Sequence, residues 1–157
     1  MMLTTHVMVG ATLALTIAPD RPWLAFLLGF VSHLLIDVIP HGDADMRVRY
    51  QNGQQVKLAL AYNAIDAVVA IVVIGILLNL PLGEMSRGIA TLGIFGGVLP
   101  DLLAGLREIL KSRWLEAFHG VHFFFHDGVT KRWGDIPLWV GIGVQVIVIA
   151  ALFPVFR

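Results

Sequence analysis

Long apolar runs separated by short polar breaks divide the chain into helices before any single residue is weighed. The first run, about 5–18, has Thr4 or Thr5 as its expected N-cap and stops at Pro19-Asp20. A helix of that length rises only about 21 Å against a bilayer core of about 30 Å, so it is expected to cross a thinned region or to lie inside the bundle. The second, about 22–39, places Pro22 near its first position and Trp23 at an interface, and Pro40 ends it. The third, about 56–80, is interrupted only by Asn63, Asp66 and Asn79. In the fourth, about 86–105, Gly93, Gly96 and Gly97 permit close packing. The last, about 136–153, has Asp135 as N-cap and Pro137 in its first turn. This pattern predicts an all-α membrane protein of about five transmembrane helices, forming a single domain over 1–157.

Two segments depart from it. Residues 41–55 read as a polar loop in which Asp43 and Asp45 are solvated. Over 106–127, Leu106, Ile109, Leu110, Trp114, Ala117, Phe118 and Val121 share one helical face, and Arg107, Glu108, Lys111, Arg113 and Glu116 the other. That is the signature of an amphipathic helix at the membrane surface or against the bundle.

Composition reinforces the membrane reading. Hydrophobic residues make up 57% and charged residues 14%, where a soluble domain carries roughly a quarter charged. The bilayer is thus the expected partner, and a net charge of zero gives no reason to expect nucleic acid. No basic region precedes the first apolar run, so a cleaved signal peptide is not expected. An N-terminus in the cytoplasm puts Arg47, Arg49, Lys57, Arg107, Lys111, Arg113, Lys131 and Arg132 inside, eight in all, and leaves Arg21, Arg87 and Arg157 outside. The positive-inside rule favours that orientation.

The orientation brings the unusual polar groups to one level. His6, His33, Asp37, Asp66, Asp101 and the segment His119, His122, His126, Asp127 all fall in the cytoplasmic half. Leu28-Gly29-Phe30 to Asp37 also aligns without gaps on Leu92-Gly93-Ile94 to Asp101, with His6 and Asp66 at matching places before them. Two such hairpins are expected to face one another across a site.

Ionisable groups in so apolar a chain are costly unless paired or metal-bound. His33 and Asp37 are four apart and share a helical face; His119, His122 and His126 are spaced three and four apart. Cysteine is absent, which excludes disulfides, thiolate sites and cysteine nucleophiles. Imidazole and carboxylate without sulfur suit a divalent metal, zinc first and manganese, magnesium or iron after it, as one or two ions. The expected ligands are His6, His33, Asp37, Asp101, His119, His122 and His126, with Asp66 or Asp127 as a base. His41 could equally be interfacial.

Thr5-His6 with Gly10, Ser32-His33 with Asp37 and Pro40, and Gly97-Val98-Leu99-Pro100-Asp101 resemble the motifs of the membrane-bound metal-dependent hydrolases, the group that includes the LexA-binding inner-membrane-associated hydrolases. The resemblance implies a small multispanning protein of prokaryotic inner membranes with a divalent metal site near the cytoplasmic surface. A histidine-threonine-histidine-serine element associated with that family is absent, and Pro100-Asp101 follows the Ser-His element rather than preceding it. The expected activity is hydrolysis of a lipid or other membrane-associated ester, most plausibly a phosphoester. The rivals are a membrane di-iron oxidase or hydroxylase, because His119 to His126 looks like a histidine box, and a protein that binds or transports a metal ion.

Overall fold

The computed structural model describes residues 2–156, and these form α-helices with a closing 3-10 turn. The helices are α1 (Leu3–Ile17), α2 (Pro22–Ile36), α3 (Ala44–Gln51), α4 (Val56–Asn79), α5 (Glu84–Leu110), α6 (Arg113–His126), α7 (Thr130–Trp133) and α8 (Leu138–Leu152), with the 3-10 turn at Phe153–Phe156. Among the described residues, three segments are long and apolar enough to cross a membrane: Val56–Asn79, Glu84–Leu110 and Leu138–Phe156. Helices α1 and α2 are apolar but shorter, at 15 residues each.

Of the two fates open to so short a first helix, the structure shows the second: α1 lies inside the bundle. It is buried from Thr4 to Ala14 on most of its faces and packs on α2, α4, α5 and α8. Its Val7, Met8 and Ala11 form a core with Ala70, Leu77, Ala90, Ile94 and Phe156. Around this centre the outer faces of α4 and α8 turn Ile65, Val68, Ile71, Trp139 and Ile147 outward. In water such a surface would be an aggregation hazard, whereas facing lipid it costs nothing.

Glycine sets how closely α1, α2 and α5 approach. A Cβ on Gly10 would strike the Gly93 carbonyl oxygen, and one on Gly93 would strike that of Gly10. Gly29 meets the same Gly93 carbonyl, and Gly96 the carbonyl of Phe26. Backbone thus lies on backbone, and small changes of side chain there move whole helices.

Several boundaries differ from expectation. Neither Thr4 nor Thr5 is the N-cap of α1; both lie inside its first turn, behind Met2. Its free N–H groups are satisfied from other helices, because the Asp66 carboxylate of α4 accepts Leu3 N–H at 2.6 Å and Thr4 N–H at 3.3 Å. Gln145 of α8 accepts Met2 N–H at 2.5 Å. Helix α2 ends at Ile36 rather than Ile39, since Pro40 clashes with helical geometry in the turn before it. The expected loop 41–55 contains α3, and Asp135 does not cap α8, whose N-cap is Pro137. Asp135 instead accepts Gly42 N–H and Ala44 N–H, each at 2.9 Å, and so anchors the start of α3. Helix α5 runs through Pro100 to Leu110, and the expected amphipathic segment is split at Lys111, which adopts a left-handed conformation at φ 46°. Beyond that break α6 keeps Trp114, Val121 and Phe124 exposed and buries Leu115, His122 and His126.

Candidate metal centre

Chain direction alone brings the polar groups together. Helices α1, α4 and α8 begin at one end of the bundle and α2 and α5 finish there, so first turns and last turns meet. Across that end lies α6, whose inward stripe carries His122 and His126. Two groups of potential metal ligands result, His33 with Asp37, Asp101 and His122, and His41 with Asp43 and His126.

The first group is built on α2. His33 lies in its last turn and Asp37 is its C-cap, so the carboxylate reaches back with Oδ2 3.2 Å from His33 Nε2. His122 Nε2 stands 3.0 Å from the same oxygen and 3.2 Å from His33 Nε2. Asp101 Oδ1, from α5, completes the group at 3.6 Å from His33 Nε2 and 3.8 Å from His122 Nε2. Two ligands of a tetrahedral ion with bonds of about 2.1 Å lie about 3.4 Å apart, and these separations bracket that value.

Protons argue the same way. Pro100 removes the intrahelical donor to the Gly96 carbonyl, and the neighbouring Gly97 carbonyl accepts His33 Nδ1–H at 2.6 Å. That bond fixes the tautomer and leaves Nε2 of a neutral His33 with a lone pair aimed at the group. Lone pairs and a carboxylate converging in a buried space fit a cation.

His6 stands behind this group. Its Nε2 is 3.0 Å from Asp37 Oδ1, the carboxylate oxygen other than the one His33 and His122 meet, and its ring stacks on that of His33 at 3.7 Å. The predicted ligands His33, Asp37, Asp101 and His122 therefore come together, and His6 supports them through Asp37.

Other expectations fare differently. His119 joins neither group: its ring lies 4.3 Å from that of Phe123, and burial together with Arg107 lowers its pKa. Asp66 is likewise outside both groups. Its Oδ1 accepts the Thr4 hydroxyl at 2.7 Å as well as backbone N–H, so it holds the start of α1, and it also lines the cavity described below. Asp127 is buried against cations, paired with Arg47 and with Lys131 Nζ at 3.1 Å. Burial alone would raise its pKa, but Lys131 and Arg47 hold the carboxyl below its ordinary value. It also lies 3.4 Å from His126 Nδ1.

In the second group, the sequence left His41 open between ligand and interfacial residue and missed Asp43. Asp43, read as solvated, has Oδ1 3.1 Å from His41 Nε2 and Oδ2 3.6 Å from His126 Nε2. Burial pushes its carboxyl up, yet the facing imidazoles of His126 and His41, when they carry a proton on Nε2, hold it well below the usual carboxylate range. The only signal in the sequence was His41-Gly42-Asp43 itself, a His-x-Asp pair held in a turn by Gly42 at φ 89°. A Cβ on Gly42 would also collide with Leu138.

Both groups border one cavity of about 390 Å³, lined by Asp101, His122, Asp43 and His126 together with Arg47 and Tyr62. Apolar residues, among them Met46, Leu60 and Phe123, share its wall. No family model, curated protein or solved structure matches the chain.

Proposed function

We propose that the protein is a metal-dependent hydrolase of a prokaryotic inner membrane, with five spans, the N-terminus in the cytoplasm and the site at the cytoplasmic leaflet. The observation that carries this reading is the convergence of His33 Nε2, His122 Nε2 and Asp37 Oδ2 within 3.0–3.2 Å of one another, beside a cavity open to substrate. The motifs at Ser32-His33, Asp37 and Pro100-Asp101 that resemble the membrane-bound metal-dependent hydrolases supply three of the four residues in that group.

His33, Asp37 and His122 would hold the ion, zinc before other divalent metals; all three are buried, His33 is fixed by the Gly97 carbonyl and Asp37 is faced by His6. A divalent metal in such a site lowers the pKa of a bound water to about 7 and polarises a phosphoryl or carbonyl oxygen. Asp101 differs from the other three in being partly exposed, with its side chain 37% accessible. That places it to take part in binding and also to accept a proton from a water in the cavity. Asp127, already paired with two cations, is less suited to the role of base than Asp101. A bound divalent ion would favour an anionic group in the cavity and the apolar wall favours an acyl chain, so the substrate class is a lipid or membrane-associated phosphoester.

Metal analysis of detergent-purified protein, with hydrolysis of p-nitrophenyl phosphate and of phosphatidic acid in mixed micelles, tests the reading. Stoichiometric metal and an activity that are both lost in His122→Ala are expected. Protein that carries no stoichiometric metal and is indifferent to chelator would overturn it, and iron with an oxygen-dependent optical band would favour the oxidase instead.

A further inference from the structure

The group formed by His41, Asp43 and His126 is separate from the one assigned to hydrolysis, and its chemistry calls for an occupant of its own. We propose that it is a second divalent-metal site, of the type that takes zinc through two imidazole nitrogens and a carboxylate and keeps an open position toward the cavity.

Four observations carry this. His41 is 2% exposed, and its Nδ1 lies 2.8 Å from the Ile39 carbonyl, which fixes Nδ1–H as the donor and leaves Nε2 as a lone pair. That Nε2 is buried without a hydrogen-bond partner although Asp43 Oδ1 is 3.1 Å away. A lone pair facing a carboxylate is a repulsive arrangement in an apolar surrounding, and a cation between them removes the conflict. Second, the separations of 3.1 and 3.6 Å from Asp43 to the two imidazoles lie close to the roughly 3.4 Å between ligands of a tetrahedral zinc ion.

Third, each histidine has a partner on its other nitrogen, as metal ligands do: Ile39 carbonyl for His41 and Asp127 Oδ1, at 3.4 Å, for His126. Asp127 is in turn held by Arg47 and Lys131, which gives that carboxylate a purpose as a positioning residue. Fourth, the loop bearing His41 is locked, since the Gly141 backbone leaves no room for a Cβ against the His41 carbonyl and Asp135 binds Gly42 N–H. The ligands are therefore preorganised by α8 rather than waiting for an ion to gather them. His122 and His126 belong to successive turns of α6, so the two sites lie about one turn, roughly 6 Å, apart along that helix.

The inference goes beyond the hydrolytic reading and does not need it, because it concerns the other set of ligands. Chelator-stripped protein in detergent, loaded with Zn²⁺ and desalted, is expected to retain two equivalents. Asp43→Asn, nearly isosteric and only partly buried, and His126→Gln should each retain one, and Asp37→Asn should lose the other. Titration with Co²⁺ should show two sets of d–d bands in the wild type and one in Asp43→Asn, with melting curves confirming that the variants fold. Wild-type protein that binds a single equivalent, or Asp43→Asn and His126→Gln that keep both, would overturn the second site. A single equivalent lost in Asp37→Asn but kept in Asp43→Asn would do so while leaving the hydrolase site standing.

Discussion

Asp66, well inside the third apolar run, accepts the hydroxyl of Thr4 at 2.7 Å and two backbone N–H groups of α1. A carboxylate at that depth invites a catalytic reading, yet here it serves as a cap supplied by another helix, favourable also to the positive end of the α1 dipole. Asp66→Ala should therefore destabilise the protein by about 1–3 kcal/mol, the cost of leaving buried donors unpaired. Thermal melting in detergent should show that loss while zinc stoichiometry stays at the wild-type value. Loss of metal without loss of stability would return Asp66 to the ligand set.

Metal removal should lower stability through the ligands of both groups. An ion present at a hundred times its dissociation constant adds about 2.7 kcal/mol to the folded state. Chelator is accordingly expected to lower the melting temperature of the wild type, and to shift a His33→Ala, Asp43→Asn double variant little. An equal shift in both would mean that chelator acts elsewhere.

Packing between α1 and α5 offers a sharper contrast. Gly93→Ala drives a methyl into the Gly10 carbonyl and should cost about 1–3 kcal/mol by overpacking. Gly88→Ala, one and a half turns earlier on the same helix and facing open space, should be neutral or mildly stabilising. Because Gly97 and Asp101 follow Gly93 on α5, the first change should also weaken metal retention and the second should not. Equal effects from the two would show that these glycines matter for backbone flexibility rather than for contact.

Topology is testable because the chain contains no cysteine. Single cysteines at Asn52 and at Glu84 should react with a membrane-impermeant maleimide from opposite sides, Asn52 from the cytoplasm. Labelling of both from one side would refute the arrangement of spans.

How much of this was legible beforehand depended on whether the cause was local. The apolar runs that became α1, α2, α4, α5 and α8 show in their length and unbroken hydrophobicity, and the i, i+4 pair His33 and Asp37 needs only helical geometry to meet. Gly29 and Gly93, equivalent in the internal alignment, do pack together, and Asp37 and Asp101 do face one another. What was hidden depends on residues far apart in the chain. Helix α3 is begun by Asp135, and α1 is capped by Asp66 and Gln145; no window of sequence contains both partners. His41 and Asp43 sit in a turn, where no periodicity reveals that α6 will lay His126 over them. His119 shares the spacing of the other two histidines, and in the structure its ring lies against Phe123 while it joins neither group of potential ligands.

The trans-capping of α1 has a consequence for biogenesis. Helix α1 is synthesised before α4 and α8, yet the leading amides of this central helix find their acceptors on those two later helices. Until then they must be kept in contact with water or with the insertion machinery, because lipid offers them nothing. Integration into the bilayer and completion of the fold are thus separate events. The later of these contacts belong to α8, which both latches α1 through Gln145 and, through Gly141, packs against the His41 turn.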